Sequence, residues 1–242
     1  MNRKGEMVVS KLVSAFKNTR IVQIMRSIKF KYEQHLHQEK KDKYGYEIIR
    51  IIDQIGNECG IDIWVEWGTL LGLIRGGELI SHDYDIDFAT FFESDESYMA
   101  LTTRLGEKGF YKTRHFAYKG KIVSETYDYH GTLVDIDYCI HDANEVLLTE
   151  YDVGSSTLIS KRNGRYYYKQ MDVMKYHAPK FTICRAEYKN GTACNVPTDA
   201  EKHIEFLYGK DWKTPNPNFD CKKLDNYEII EADNEFEGWR IM

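Results

Sequence analysis

The sequence predicts an α+β protein in which a mixed β-sheet is flanked by helices and preceded by an N-terminal helical extension. Three observations indicate this class. The first sixty residues have helical periodicity, whereas residues 61–140 contain short alternating segments separated by glycines. A further helical pattern lies at residues 198–208. A length of 242 residues with 42% hydrophobic residues is sufficient to bury a sizeable core.

The N-terminal segment is strongly basic. Residues 1–31 contain eight lysines and arginines but only one acidic residue, Glu6, and apolar residues are interleaved with them. This pattern predicts one or two basic amphipathic helices, which either dock on the domain or contact a membrane surface or a partner. A charged stretch, residues 35–44, then separates this segment from a second helix that Gly60 ends.

The central part of the chain predicts alternating strands and helices. Gly76 and Gly77 end the first short helix, and turns are expected near Gly120 and Gly131. The predicted strands are residues 61–67, 83–91, 110–118, 121–129 and 132–140, the last three forming an antiparallel meander, and the predicted helices are residues 68–75 and 95–108.

The C-terminal third is less regular. Residues 165–169 and 181–185 resemble strands, and the helix at 198–208 is capped by Thr198 or Asp199 and ended by Gly209. Little periodicity follows Pro215. We therefore divide the chain into a basic helical extension (1–44), a catalytic domain (45–215) and a C-terminal tail (216–242).

Composition excludes several classes of protein. A net charge of −5 argues against a surface that coats nucleic acid. The five scattered cysteines lack C-x-x-C spacing, so we expect neither disulfides nor a zinc site. No apolar run reaches about 18 residues, and no signal-peptide pattern is present. We expect a cytoplasmic protein, with peripheral membrane contact through the basic N-terminus.

Two predicted strands carry aspartates at every second position. Since strand side chains alternate between faces, Asp83, Asp85 and Asp87 share one face, and Asp135 and Asp137 share one face of another strand. Such carboxylates repel one another unless a cation offsets them, and Mg²⁺ prefers oxygen ligands of this kind. The alternative is a solvated face of an antiparallel sheet.

A Gly-Thr step precedes the first acidic strand and opens a helix. Backbone N–H groups and a hydroxyl at such a position can approach a phosphate, although many strand-to-helix turns carry glycine only for conformational reasons.

The sequence also resembles the LicD/fukutin family of phosphotransferases over residues 63–215. The residues that carry this resemblance are Gly68-Thr69-Leu70-Leu71-Gly72, Arg75, Ile80, the run from His82 to Asp87, Val134-Asp135-Ile136, Val196-Pro197 and the run from Leu207 to Trp212.

The resemblance implies a nucleotidyltransferase-like fold and a Mg²⁺-dependent phosphotransferase, with Mn²⁺ as a possible substitute. The donor would be a CDP-activated alcohol such as CDP-choline or CDP-ribitol. The acceptor would be a sugar hydroxyl of a cell-surface glycan or glycolipid, such as lipopolysaccharide, capsule or teichoic acid, and CMP would leave. Two positions depart from the family pattern: His82 stands where Trp is common, and Trp67 where a small residue is usual.

We assign roles to the candidate residues on this basis. Asp85 and Asp87 hold the metal ion; Asp135 completes its shell or accepts the proton of the acceptor hydroxyl, with Asp137 as the alternate for that proton. The donor and its phosphates would contact Gly68, Thr69, Arg75 and Asp83.

Other interpretations stay open for several features. Lys161, Arg162 and Arg165 form either an anion-binding loop or a solvated turn, and Tyr166 to Tyr168 stack on a ligand or pack at a sheet edge. Two other functions would produce the same motifs: a nucleotidyltransferase that attaches NMP to its acceptor, or a non-catalytic glycan-binding module of the same fold.

Overall fold

The protein is a mixed α+β protein whose core is dominated by β-sheet, which confirms the predicted class. The computed structural model describes residues 20–154, 156–188, 191–216 and 219–241, with side chains from residue 35 onward except that of Lys222. Residues 1–19 of the predicted basic extension lie outside the described residues. Within the described part, no helix combines the length and apolarity that crossing a membrane requires.

The first helix, α1 (Arg20–Cys59), is continuous, whereas the sequence predicts a break at residues 35–44. The physical reason is that this stretch is rich in Glu, Lys and Gln, which are good helix formers, and contains neither Gly nor Pro. Gly45 lies inside the helix. A Cβ at this position would come within 2.7 Å of Leu79 Cδ1, so the close packing against Leu79 favours glycine. Gly60, at φ 65°, follows the last helical residue as predicted.

The main sheet contains nine strands, in the order β1-β2-β5-β4-β3-β11-β8-β6, with β7 paired to the outside of β8. Strand β6 also pairs with β5, so six strands close into a ring. The strands of this sheet are β1 (Ile63–Val65), β2 (Asp85–Phe91), β3 (Tyr111–Tyr118), β4 (Lys121–Tyr129), β5 (Thr132–His141), β6 (Glu145–Asp152), β7 (Leu158–Arg162), β8 (Arg165–Pro179) and β11 (Tyr227–Ile241). A separate hairpin pairs β9 (Ile183–Glu187) with β10 (Ala193–Pro197).

Three further helices complete the fold: α2 (Trp67–Gly76), α3 (Asp95–Glu107) and α4 (Ala200–Tyr208). The isoleucines of α1 and the leucines of α3 pack in one core against the apolar residues of β2 and β5, such as Ile86 and Val134. The acidic residues of the same two strands alternate with these apolar residues and therefore point to the opposite face. Helices α1 and α3 thus cover one face of the sheet, and the acidic residues lie on the other.

The C-terminal segment differs from the sequence prediction of little regular structure after residue 215. Strand β11 spans fifteen residues and pairs with both β3 and β8 in the middle of the sheet order. Its register shifts between Ile230 and Asp233 and again before Glu237. These irregularities interrupt the two-residue alternation by which strands are found in a sequence. The placement of domain boundaries at residues 44 and 215 stays a prediction.

Candidate active site

The two predicted acidic strands are neighbours in the sheet. Strand β2 pairs in parallel with β5, and Asp87 lies directly opposite Asp135 in the register. Directly opposed residues on adjacent strands project to the same face, so the aspartates of both strands meet there. Ligand oxygens of Asp83, Asp85 and Asp87 all lie within 4.8 Å of one another.

Burial and mutual repulsion dominate the electrostatics of this cluster. Desolvation, followed by the charges of Asp87 and Asp135, raises the pKa of Asp85 to about 10. Burial, followed by the charges of Asp83 and Asp135, also raises the pKa of Asp87 well above its ordinary value. A divalent cation would remove this penalty by pairing with the ionised forms. The donor set, all carboxylate oxygen, is therefore suited to a hard cation.

The second strand contributes two carboxylates with different surroundings. Asp135 Oδ2 accepts a hydrogen bond from Arg114 at 3.0 Å, whereas its buried Oδ1 has no hydrogen-bond partner among the described residues. Asp137 Oδ2 accepts a hydrogen bond from Trp67 Nε1 at 2.7 Å. Burial raises the pKa of Asp137 to about 6, and burial and Asp137 raise that of Glu150. Asp135 Oδ1 is thus a buried acceptor without a hydrogen-bond partner among the described residues.

The Gly-Thr step, Gly68-Thr69, lies beside the carboxylate cluster. The backbone N–H and hydroxyl of Thr69 are 3.2 and 3.3 Å from Asp87 Oδ2, and the Thr69 hydroxyl accepts the Asp87 N–H at 2.8 Å. Thr69 therefore orients Asp87, and its predicted contact with a phosphate stays a prediction. At Gly68, an added Cβ would overlap the carboxylate of Asp83, so the absence of a side chain there makes room for the cluster.

Two cavities meet at the carboxylates. The Arg75 cavity, of about 620 Å³, is lined by Gly68, Arg75, Asp83, Trp212 and other residues. The Arg114 cavity, of about 470 Å³, is lined by Asp87, Arg114, Asp135, Asp137, Glu150 and others. Tyr208 and Phe219 line both. Asp83 therefore lines the Arg75 cavity, while Asp87, Asp135 and Asp137 line the Arg114 cavity.

All eight residues that the sequence singles out lie in or beside this region. Arg75 lines its cavity and donates to the Trp212 carbonyl oxygen at 3.5 Å. Asp83, to which the sequence gives a donor-binding role, belongs to the close carboxylate group, whereas Asp135 does not. The choice of the third metal ligand thus stays a prediction, with Asp83 as an additional candidate.

Sequence reasoning missed three residues of the site: Trp67, Arg114 and Glu150. Trp67 adopts a positive φ of 44° at the start of α2, a strained conformation for a bulky residue. Its position between β1 and Gly68 was a possible signal in the sequence. Arg114 lies on β3, in the same meander as Asp135, and Glu150 lies on β6, the strand that follows β5, but the sequence analysis gives neither residue a role.

A buried pair, Glu66 and His203, holds the start of α2 next to the carboxylate cluster. His203 Nε2 lies 2.7 Å from Glu66 Oε1, and both side chains are at most 3% exposed. Glu66 also accepts a hydrogen bond from Trp64 Nε1 and is the residue before α2. The pair ties α4 to the start of α2 and so fixes the position of Trp67 and Gly68.

The fold and the site together define an α+β protein with a half-buried cluster of carboxylates on one face of its sheet. The family model described as LicD/FKTN/FKRP, nucleotidyltransferase domain, matches residues 60–177. This match confirms the resemblance to the LicD/fukutin family read from the sequence.

Curated relatives agree with this assignment. The chain is 25% identical over 181 residues to the ribitol-5-phosphate transferase FKTN of Homo sapiens, and 25% identical over 189 residues to that of Mus musculus. These matches cover 75% and 74% of this chain but 36% and 35% of the relatives. The chain thus spans about a third of the length of the relatives it matches.

Proposed function

We propose that this protein is a metal-dependent phosphotransferase with a nucleotidyltransferase-like fold. It moves a phospho-alcohol from a CDP-activated alcohol to a sugar hydroxyl of a glycan or glycolipid and releases CMP. The observation that carries the proposal is the close group of Asp83, Asp85 and Asp87, opposite Asp135, at the junction of two cavities. The ribitol-5-phosphate transferases among the relatives support the reaction class.

The residues present fit a bound Mg²⁺ ion, with Mn²⁺ as a substitute. Asp85 and Asp87 would hold it, with Asp83 or Asp135 completing the carboxylate set. The raised pKa values of Asp85 and Asp87 and the unpartnered Asp135 Oδ1 all favour a cation at this point. When bound, such an ion neutralises the charge that develops on transferring phosphate oxygens.

The two cavities provide separate places for the two substrates. We place the cytidine diphosphate part in the Arg75 cavity, where Arg75 offers a cation and Trp212 and Tyr208 offer aromatic faces. The acceptor hydroxyl enters the Arg114 cavity, where Asp135 Oδ1 is free of hydrogen bonds to the described residues. Asp135 or Asp137 accepts the hydroxyl proton.

The other polar groups hold this arrangement in place. Thr69 orients Asp87, Trp67 orients Asp137, and Arg114 orients Asp135. Since phosphoryl transfer depends mainly on positioning and charge stabilisation, small displacements of these groups would slow it strongly.

The test is donor turnover by the purified chain with Mg²⁺ and a panel of CDP-alcohols carrying choline, ribitol, glycerol or ethanolamine. We expect CMP release from one of them, loss of release in EDTA, and recovery with Mg²⁺ or Mn²⁺. Asp87→Asn should lower turnover by about a thousandfold, while the exposed control Asp199→Asn should leave it unchanged. No CMP from any donor, or release that EDTA does not affect, would contradict the proposal.

A label in the donor separates the two enzymatic functions. With the phosphate attached to cytidine labelled, phospho-alcohol transfer leaves the label in CMP, whereas nucleotidyl transfer places it on the acceptor. A label that appears on the acceptor would establish the alternative reaction. A non-catalytic module would bind donor or glycan without releasing CMP, and Asp87→Asn would not change that binding.

A further inference from the structure

Tyr208 lies where the two cavities of the site meet. Of the described residues, Tyr208 and Phe219 alone line both the Arg75 cavity and the Arg114 cavity. Their two rings pack together, with centres 5.1 Å apart. A phenylalanine side chain has no polar atom, whereas the tyrosine hydroxyl both donates and accepts hydrogen bonds. Tyr208 is therefore the described residue on this boundary whose side chain can hydrogen-bond a ligand that extends from one cavity into the other.

Helix α4 fixes the position of Tyr208. Tyr208 is the last residue of this helix, and the backbone N–H of the following Gly209 donates to the Glu205 carbonyl oxygen at 2.8 Å. Five residues before Tyr208, His203 Nε2 lies 2.7 Å from a carboxylate oxygen of Glu66, the residue that precedes α2. The end of α4 is thus held against the start of α2, beside the carboxylate cluster.

The surroundings of the Tyr208 hydroxyl agree with this position. Burial, and then the charges of Asp87, Glu66, Asp83 and Asp85, raise the pKa of Tyr208 well above its ordinary value. The hydroxyl is therefore close enough to the cluster for three of its carboxylates to act on it. Even the ordinary pKa of about 10 keeps a tyrosine protonated at neutral pH. Within the part of the chain that the structure describes, this hydroxyl donates no hydrogen bond.

In the proposed reaction, a phosphate crosses the boundary that Tyr208 lines. The acceptor hydroxyl oxygen forms a bond to the phosphorus that carries the alcohol, the bond from that phosphorus to the bridging oxygen breaks, and CMP leaves with the bridging oxygen. Asp135 or Asp137 takes the hydroxyl proton. With the cytidine diphosphate part in the Arg75 cavity and the acceptor in the Arg114 cavity, the phosphorus in transfer lies between the two cavities.

We propose that Tyr208 is a catalytic residue whose hydroxyl donates a hydrogen bond to a non-bridging oxygen of the phosphate in transfer. The inference rests on the proposed function and adds a residue to its reaction. Tyr208 keeps its proton throughout, so it contributes a hydrogen bond and not a proton transfer. A donor that is held in place before the reaction stabilises charge on the transferring phosphate without reorganisation.

The test compares Tyr208→Phe with wild-type protein, because this substitution removes the hydroxyl and keeps the ring beside Phe219. Steady-state CMP release at saturating Mg²⁺ gives kcat and the KM for the CDP-alcohol. The control is Tyr188→Phe, which removes a buried hydroxyl that has no hydrogen-bond partner among the described residues and that lines neither cavity. Thermal unfolding checks that both variants fold.

A sulfur-substituted donor tests the contact with phosphate directly. It carries sulfur in place of one non-bridging oxygen of the phosphate that bears the alcohol, and its two diastereomers are assayed separately. Sulfur accepts hydrogen bonds only weakly. If Tyr208 bonds one of the two non-bridging oxygens, the ratio of the oxygen rate to the sulfur rate should fall for one diastereomer in Tyr208→Phe, and it should stay at the wild-type value in Tyr188→Phe.

We expect Tyr208→Phe to lower kcat by about tenfold to a hundredfold and to change the donor KM by less than about threefold, while Tyr188→Phe changes neither. An unchanged kcat in Tyr208→Phe, a rise in KM alone, or rate ratios equal to those of wild type for both diastereomers would overturn the assignment.

Failure of the proposed function gives a different result. If wild-type protein releases no CMP from any donor, the reaction is excluded, and the assignment of Tyr208 falls with it. If wild-type protein releases CMP and Tyr208→Phe does so equally fast, the proposed function stands and only the role of Tyr208 is refuted.

Discussion

Replacing Gly68 with alanine should disable the site without destabilising the fold. Gly68 lies in the first turn of α2, and its φ is not in the left-handed region, so the backbone accepts alanine. The added Cβ, however, would lie closer than 3.0 Å to Asp83 Oδ2 and 3.3 Å from Asp87 Oδ2. Ordinary contact distances are about 3.5 Å or more, so the Asp83 carboxylate must retreat by roughly half an ångström or more.

The size of the effect follows from this displacement. A misplacement of about 1 Å in an active site can cost about a hundredfold in rate, so we expect a fall in CMP release of roughly tenfold to a hundredfold. Half-saturation by Mg²⁺ should also move to higher concentration, because Asp83 belongs to the close carboxylate group. Stability should stay the same or rise by up to about 1 kcal/mol, since alanine favours helix over glycine.

The assay is CMP release from the CDP-alcohol that wild-type protein accepts, over a range of Mg²⁺ concentrations, together with thermal unfolding. Gly76→Ala is the matched control, because it is the same substitution in the same helix and a Cβ there meets nothing within 4 Å. If Gly68→Ala keeps wild-type turnover and wild-type Mg²⁺ dependence, the close approach of Gly68 to Asp83 has no role in the site.

Three further predictions concern buried polar groups. Trp67→Phe removes the donor to Asp137 and should lower turnover about tenfold, measured as CMP release; unchanged turnover would refute its orienting role. Lys41→Met leaves the Ile80 carbonyl oxygen without its lysine donor and should lower the free energy of unfolding by about 1–3 kcal/mol in urea titrations, a loss that Lys41→Arg should partly restore. Burial raises the pKa of Glu125, but hydrogen bonds from His115, Lys112 and Tyr127 and the charge of Lys112 outweigh burial and lower this pKa below 4.5. Because the pKa of Glu125 is lowered in the folded state, its ionised form stabilises the fold at pH values above the ordinary pKa. Glu125→Gln should therefore lower the free energy of unfolding by about 3 kcal/mol at pH 7, and the difference between variant and wild type should narrow as the pH falls below 4.5. A difference in unfolding free energy that does not depend on pH would contradict this prediction.

The sequence alone determined the strands and helix ends that depend on a pattern of only a few neighbouring residues. Period-2 alternation predicted the acidic strands and their apolar opposite faces, since side-chain direction along a strand is set by backbone geometry alone. Glycines marked the ends of α1, α2 and α4 where a positive φ or a chain reversal is needed. The break predicted inside α1 was wrong because charged residues do not end a helix when no Gly or Pro interrupts it.

Tertiary structure decided everything that depends on pairing between distant segments. Strand β11 escaped sequence reasoning because its register shifts disrupt the alternation, and its place between β3 and β8 is fixed by hydrogen bonds to both. In the same way the sequence supplied Asp85, Asp87, Asp135 and Asp137, but only the pairing of β2 with β5 placed Asp87 opposite Asp135. Spacing along the chain predicts neighbours joined by a short turn, such as β3, β4 and β5, but not pairs that are distant in sequence, such as β2 with β5 or β11 with β8.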